Sequence, residues 1–254
     1  MLLKGKNAVV YGAGGHIGGA VARAFAREGA NVFLAGRTIE KLELVAEHIR
    51  AEGGTAQFAQ LDALDHEMIE SHLESVVRQV GTVDISFNAT WIRGDLQGTP
   101  LLEISCEHFT LPVLTGVQTH FLTSTAAARH MARQRSGVIL TLSASSSVLS
   151  GRDRRFHRTG GFSTACTAIE GLTYSLAGEL GPLGIRVACL RSDAIPETWS
   201  SDASEIKTYM EDGTALGRLP TLNELANAAV LAASDRASAI TGTVLNVTCG
   251  SIMN

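Results

Sequence analysis

Short apolar runs alternate with stretches of helical periodicity along the whole chain. The first run, Ala8 to Tyr11, is bounded in the way of a buried parallel strand. Glycines follow at Gly12, Gly14, Gly15 and Gly18, and then Ile17, Val21, Ala24, Phe25 and Ala26 recur at helical spacing until Gly29 stops them. A second run, Val32 to Ala35, ends at Gly36 and Arg37. Thr38 is placed to cap a helix with Leu42, Val45, Ala46 and Ile49 on one face, closed by Gly53 and Gly54. Ala56 to Leu61 reads as a third strand, with Asp62 at its end. Asp65 then caps a helix carrying Met68, Ile69, Leu73, Val76 and Val77. Val83 to Phe87 reads as a fourth strand that runs into Asn88, Ala89 and Thr90.

The second half keeps the alternation. Trp91 to Pro100 reads as a loop, and Ser105 caps a long helix to about Arg135, with Pro112 favouring a kink near its start. Val138 to Leu142 is a fifth strand after Gly137. Ser143 to Gly161 is polar and basic, contains the run Arg152-Asp-Arg-Arg-Phe-His-Arg158, and reads as a loop. A helix from Phe162 to Leu180 and a strand from Ile185 to Leu190 follow. Arg191 to Gly217 is an irregular excursion with a short helix near Ser204 to Met210. Thr221 caps a helix to about Ala233, and Thr243 to Val247 is the seventh strand. Strands alternating with helices predict an α/β fold: a parallel sheet with helices on both faces, in one domain spanning residues 1–254.

Residues 7–38 carry the first chemistry. Strand, glycine-rich turn, helix and strand within about thirty residues is the spacing of a dinucleotide-binding unit. The glycines let a pyrophosphate approach backbone amides, and the helix N-terminus behind them offers unpaired N–H groups and partial positive charge. An acidic residue at the end of the second strand would bind the ribose 2′-hydroxyl of NAD. Gly36 and Arg37 stand there instead, so no carboxylate repels a 2′-phosphate and a guanidinium is available to pair with it, which favours NADP(H).

Composition narrows the rest. At 254 residues the chain is 45% hydrophobic but only 5% aromatic, which suits closely packed helices on a sheet. A net charge of −4 gives no reason to invoke nucleic acid. No apolar run approaches membrane-spanning length and the N-terminus enters a strand at once, so a cytoplasmic protein is expected. Cys106, Cys166, Cys189 and Cys249 lie far apart and the eight histidines lack ligand spacing; no metal site is expected.

Several segments resemble the short-chain dehydrogenase/reductase family, and the likeness covers essentially the whole length. The turn Gly12 to Gly18 resembles the family's TGxxxGxG. Asp62-Ala63 resembles the pair that meets the adenine ring, and Asn88-Ala89 the second half of NNAG. Ile169-Glu-Gly-Leu-Thr-Tyr-Ser-Leu-Ala-Gly-Glu-Leu-Gly-Pro-Leu-Gly-Ile-Arg-Val187 is very similar to the helix and strand after the family's active site, and Thr241 to Val247 resembles its last strand. The resemblance implies a Rossmann-type doubly wound, parallel, seven-stranded sheet in the order 3-2-1-4-5-6-7, with the coenzyme across the carboxyl ends of the strands. Together with the reading of the turn and of Arg37 from the residues themselves, it gives Gly12, Gly14, Gly15, His16, Ile17, Gly18, Arg37, Asp62, Ala63, Asn88 and Ala89 as the coenzyme contacts. It also implies a homodimer or homotetramer formed through the long helix and the helix after the active site, where Ala126 to Ala128 and Leu172 to Ala177 supply small residues that fit an ordinary core equally well.

The family's proton chemistry uses a tyrosine, a lysine four residues later, a serine on the fifth strand and an asparagine in the long helix. Here those positions fall on Phe162, Cys166, Ala144 and Gly116, and no Tyr or Lys occurs between Ala144 and Gly171. Ser192-Asp193 stands where the family has Pro-Gly, and His16 replaces the middle glycine of the first turn. Phenylalanine has no proton to give, and a thiol lacks the reach and charge of a lysine. The remaining candidates are Ser145, Ser146, His157 and Arg158, with Ser145 and His157 preferred and His157 the acid favoured by its ordinary pKa. His16 either meets the coenzyme phosphate or points outward. The Arg152–Arg158 run is either a solvated loop or a lid that attracts an anionic substrate. Cys166 is either a nucleophile or a packed thiol. Two functions stay open: an NADP(H)-dependent oxidoreductase that transfers hydride to or from a small carbonyl, enone or imine, or a catalytically silent NADP-binding sensor or subunit.

Overall fold

The computed structural model describes residues 1–199 and 204–253. Seven strands form one parallel sheet in the order β3-β2-β1-β4-β5-β6-β7. They are β1 (Asn7–Tyr11), β2 (Asn31–Gly36), β3 (Thr55–Gln60), β4 (Ile85–Asn88), β5 (Gly137–Ala144), β6 (Ile185–Ser192) and β7 (Thr243–Val247). The helices are α1 (His16–Arg27), α2 (Ile39–Ala51), α3 (His66–Val80), α4 (Cys106–Gln134), α5 (Gly151–His157), α6 (Gly160–Leu180), α7 (Ser204–Asp212) and α8 (Leu222–Ala233).

The alternation of side chains along each strand sorts the core into two layers. Ala8 and Val10 of β1 face one way, into a cluster with Val21 and Phe25 of α1, Leu42 and Ile49 of α2, and Leu225 and Ala229 of α8. Val9 and Tyr11 face the other way, onto Ile69 and Leu73 of α3, Ala126 to Ala128 and Met131 of α4, and Leu176 and Ala177 of α6. Ala126 to Ala128 of α4 and Leu176 and Ala177 of α6 are therefore core in this chain, whereas Gly171, Ser175 and Gly178 of α6 are exposed. Beside these small residues, the outward surface of α4 and α6 carries the exposed large side chains Leu114, Phe121 and Tyr174.

Caps follow the sequence reading at Asp65, Ser105 and Thr221, each accepting from the backbone three residues on. Thr38 departs from it: it occupies the N-cap of α2 but makes no side-chain cap hydrogen bond. α4 runs unbroken through Pro112 to Gln134. β4 starts two residues late because Val83 is claimed by a side chain, its N–H donating to Gln134 Oε1 at 3.0 Å and its carbonyl accepting from Gln134 Nε2.

Three larger differences all lie at the carboxyl edge of the sheet. β5 and β6 run two residues beyond their apolar runs, with Ser143 opposite Arg191 and Ala144 opposite Ser192. Their polar ends stay in the ladder because a buried carboxylate from α6 satisfies them. The segment 143–161, read as a loop, instead holds a 3₁₀ turn (Ser145–Val148) and α5. Ser150 caps α5 by accepting from Asp153 N–H, and α6 starts at Gly160, two residues early. Of the excursion 191–217, the expected short helix is α7; residues 200–203 lie outside the described residues.

Candidate active site

The carboxyl ends of β1, β4, β5 and β6 open onto a cavity of about 870 Å³. The switch in strand order between β1 and β4 makes this the crevice where an open parallel sheet binds ligands. Gly15 to Gly18 and Ala89 form one wall, Ser143 to Ser146 the floor, and Ser192 to Ile195 the far wall. Trp91, Ile92, Phe162, Trp199, Ile206 and Met210 close around it.

The turn after β1 is built by backbone proximity. Gly12 has φ +71°, and a Cβ there would lie 2.4 Å from the Ala89 carbonyl oxygen. A Cβ on Gly18 would lie 2.3 Å from the Gly12 carbonyl oxygen. Only hydrogen fits at either place, so α1 begins hard against the ends of β1 and β4. Its first N–H groups have no intrahelical acceptor and face the cavity edge. His16 opens the helix, exposed, and is part of the cavity wall.

The other proposed coenzyme contacts sit in two places. Asn88 is buried behind the turn, donating to Thr123 Oγ1 at 2.9 Å and accepting from Thr90 N–H and Thr90 Oγ1. It shapes the loop after β4, its Oδ1 taken by two donors and one of its two Nδ2 hydrogens by Thr123. Arg37, Asp62 and Ala63 lie beyond the cavity lining, at the ends of β2 and β3. The Arg37 side chain is exposed and, among the described residues, in no ion pair, while its carbonyl is held by Gln60 Nε2 at 2.8 Å. Asp62 Oδ1 accepts from Leu64 N–H.

The four positions that the resemblance assigns to proton transfer come together. Ala144, Phe162 and Cys166 pack with Ile92, Val113, Ala165 and Ile169, and Gly116 faces Ile92, Ala165 and Ile169 across the space a side chain would fill. They form one small apolar cluster beside the cavity. Burial pushes the Cys166 thiol up to about 11, so it stays protonated; Ser146 Oγ–H approaches its Sγ at 3.6 Å. This is the packed thiol, not the nucleophile. One turn beyond Gly116, His120 is wholly buried. Its Nδ1 donates to the Gly116 carbonyl, its Nε2 accepts weakly from Leu142 N–H, and burial pulls its pKa down to about 4.

Of the candidate polar groups, Ser145, Ser146 and His157 line the cavity and Arg158 does not. Ser145 is buried and donates its hydroxyl to Asp193 Oδ1 at 2.9 Å. Burial outweighs the attraction of Asp153 and Asp193 and holds His157 below the ordinary histidine pKa, so it is uncharged at neutral pH. The basic run is a helix rather than a loop. Arg152 lies over the Tyr209 ring, Arg154 is tied to the Leu149 and Ser147 carbonyls and to Ser163 Oγ, and Phe156 stacks on Tyr209. These bonds fasten α5 to α6 and α7, and no guanidinium of the run lines the cavity.

Two features had no role assigned from sequence. Glu170 of α6 and Arg191 of β6 form a buried pair, Nη2 to Oε2 at 2.7 Å and Nε to Oε1 at 2.9 Å. Ser143 and Ser147 donate to the same carboxylate, and Arg191 Nη1 donates to Asn246 of β7. This network binds the cavity floor to α6 and β7. Asp193, one residue past β6, is 6% exposed and accepts from Ser145 Oγ, Ala194 N–H and Ser251 Oγ. Its position at the end of a parallel strand was the available signal.

No helix among the described residues is long and apolar enough to cross a membrane. A family model described as enoyl-(acyl carrier protein) reductase matches residues 12–251. A 3-oxoacyl-(acyl-carrier-protein) reductase FabG of Chlamydia muridarum (strain MoPn / Nigg) is 30% identical over 251 residues, covering 98% of each chain. A gluconate 5-dehydrogenase from Burkholderia cenocepacia J2315, crystallised with NADP and tartrate, superposes with a TM-score of 0.87 at 25% identity, over 98% of this chain and 96% of its own. A 7α-hydroxysteroid dehydrogenase complexed with NADH and 7-oxo glycochenodeoxycholic acid gives 0.88 at 26% identity, over 99% and 96%. With the strand order, the glycine turn and these likenesses all spanning its length, the chain belongs to the short-chain dehydrogenase/reductase family of oxidoreductases.

Proposed function

We propose that this protein is an NADP(H)-dependent oxidoreductase whose active site works without the family's tyrosine–lysine proton donor. The observation that carries the reading is a contrast within one crevice. A cradle shaped by backbone contact at Gly12 and Gly18 adjoins an apolar cluster in place of the proton-transfer groups.

The residues present fit a dinucleotide. The N–H groups of His16, Ile17 and Gly18 would meet its pyrophosphate, Arg37 a 2′-phosphate, and Asp62 and Ala63 the adenine, with the nicotinamide lying toward β5 and β6. A bound nicotinamide supplies hydride chemistry. The gluconate 5-dehydrogenase with NADP and the steroid dehydrogenase with NADH share this fold equally well, so Arg37 carries the choice of coenzyme here. Arg37→Ala is expected to weaken NADPH binding roughly 10- to 100-fold, the worth of hydrogen bonds to a charged group, and to leave NADH binding unchanged. Titrating both coenzymes by fluorescence checks it; equal losses for the two would remove Arg37 from the 2′-phosphate.

For the chemistry, Ser145 and His157 are the polar groups that would orient a substrate in the cavity. Ser145 donates its hydroxyl hydrogen bond to Asp193 and so presents lone pairs, and His157 is a neutral imidazole. Neither replaces a tyrosine activated by a lysine. An acceptor that needs no proton from the protein, a conjugated C=C or a C=N bond, suits this site better than a simple ketone. A panel of ketones, enones and imines followed by NADPH oxidation tests the reading; coenzyme binding with no turnover across the panel would favour the silent sensor. Phe162→Tyr with Cys166→Lys is expected to create ketone reduction that neither single variant shows. Activity in a single variant, or none in a folded double variant that binds NADPH, would break the alignment of those positions.

A homodimer or homotetramer would use the outward face of α4 and α6, where Leu114, Phe121 and Tyr174 remain exposed.

A further inference from the structure

The charge inside the cavity narrows the hydride acceptor, and this step rests on the chain being a nicotinamide-dependent oxidoreductase. No lysine or arginine is among the described residues that line the cavity. Asp95, at its rim, is neutralised by Arg93 at 2.9 Å, and His157 is uncharged at neutral pH. Asp193 is different. It is buried, three donors hold it in place, and among the described residues no lysine or arginine lies within ion-pair distance of it. The wall around it is apolar and aromatic: Trp91, Trp199, Phe162, Ile206 and Met210. The site thus offers one uncompensated carboxylate in surroundings where charge is weakly screened.

Such a site opposes one product and favours another. Hydride addition to a ketone makes an alkoxide, which a neighbouring carboxylate repels and which needs a proton that no group here is built to give. Hydride addition to an iminium ion needs none. The hydride from the reduced nicotinamide coenzyme forms the new C–H bond, the C=N π pair becomes the nitrogen lone pair, and the products are a neutral amine and the oxidised coenzyme. One positive charge is present before and one after, always near the same carboxylate. Aromatic faces also attract organic cations. We propose that the cavity selects an organic cation, and that the substrate class is an iminium ion, Asp193 being the residue that selects it. The departures at Gly116, Ala144, Phe162 and Cys166 and the carboxylate at residue 193 then have a single chemical reason.

The chain has two tryptophans, Trp91 and Trp199, and both line the cavity, so their fluorescence reports its occupancy without turnover. The probes are the N-methyl-3,4-dihydroisoquinolinium ion and its neutral ketone counterpart 2-tetralone, each titrated by fluorescence and calorimetry into the full chain saturated with the redox-inert, uncharged-ring analogue 1,4,5,6-tetrahydro-NADP. The cation is expected to bind roughly tenfold more tightly than the ketone, and Asp193→Asn to erase that preference. With NADPH, the iminium ion is reduced and 2-tetralone is not. Equal or weaker binding of the cation to the unmodified protein would overturn the proposal, and this ratio decides the matter even if Asp193→Asn fails to fold. A protein that binds NADPH yet shows no cation preference loses only this inference, whereas one that binds neither coenzyme loses the functional reading beneath it.

Discussion

Glu170→Ala is expected to cost about 3–5 kcal/mol of folding stability, the usual result of breaking a buried pair from one side. Arg191 is 5% exposed and would lose both of its hydrogen bonds to the carboxylate, while the hydroxyls of Ser143 and Ser147 would lose their shared acceptor. For a chain of this length the melting temperature should fall by roughly 8–15 °C. Replacing both partners, Glu170→Met with Arg191→Met, should recover much of that loss, because an apolar pair leaves no buried charge behind. Thermal melts of the three variants against the parent decide it. A single variant within about 1 kcal/mol of the parent would mean that water reaches the network.

The same pair sets an acid dependence. Burial alone would raise the Glu170 pKa, but hydrogen bonds from Arg191, Ser143 and Ser147 overcome it and hold the carboxyl below its ordinary value. A carboxylate with a depressed folded pKa stabilises the protein above the unfolded value, about 4.3, and loses that contribution as pH falls through the folded one. The parent should therefore lose more stability than Glu170→Ala on acidification below about pH 4. Parallel slopes in this range would exclude the pair as an acid-sensitive element.

Gly18→Ala carries the second large effect, and it falls on binding as well as stability. The added Cβ would lie 2.3 Å from the Gly12 carbonyl oxygen, 2.8 Å from its carbon and 3.0 Å from Ala13 Cα. All three are backbone atoms, so relief requires moving the turn or the start of α1 rather than a side chain. Either movement takes the helix N–H groups away from the pyrophosphate. Overpacking of this kind costs up to about 3 kcal/mol, which on the binding side is roughly a hundredfold loss of NADPH affinity. Fluorescence titration of NADPH, alongside a melt to show that the variant is folded, measures it. A folded variant with unchanged affinity would show that the turn does not hold the coenzyme.

The glycine turn was legible because its signal is local. Gly12 and Gly18 are neighbours in sequence, and their spacing between a strand and a helix implies the backbone approach seen in the fold. Helix α5 was not legible for the opposite reason. Its seven residues are too few for helical periodicity, and they are held by contacts to distant groups: Arg154 to Ser163, Phe156 and Arg152 to Tyr209. A run of arginines in sequence suggested charge facing a substrate, whereas each guanidinium that is tied down serves packing.

By itself the sequence determined the layered architecture, the strand order through family resemblance, the glycine turn between β1 and α1, and the absence of any tyrosine or lysine between Ala144 and Gly171. These are properties of period, of composition and of short segments, and each is written within a few dozen residues. Tertiary structure alone decided that Gly116, Ala144, Phe162 and Cys166 close into one apolar cluster, that Glu170 meets Arg191, and that Asp193 stands in the cavity wall with no lysine or arginine among the described residues in ion-pair distance. The charge of a cavity depends on which side chains from separate strands and helices come to face the same small volume, and on which of them are neutralised there. Only the folded chain brings those groups within range of one another.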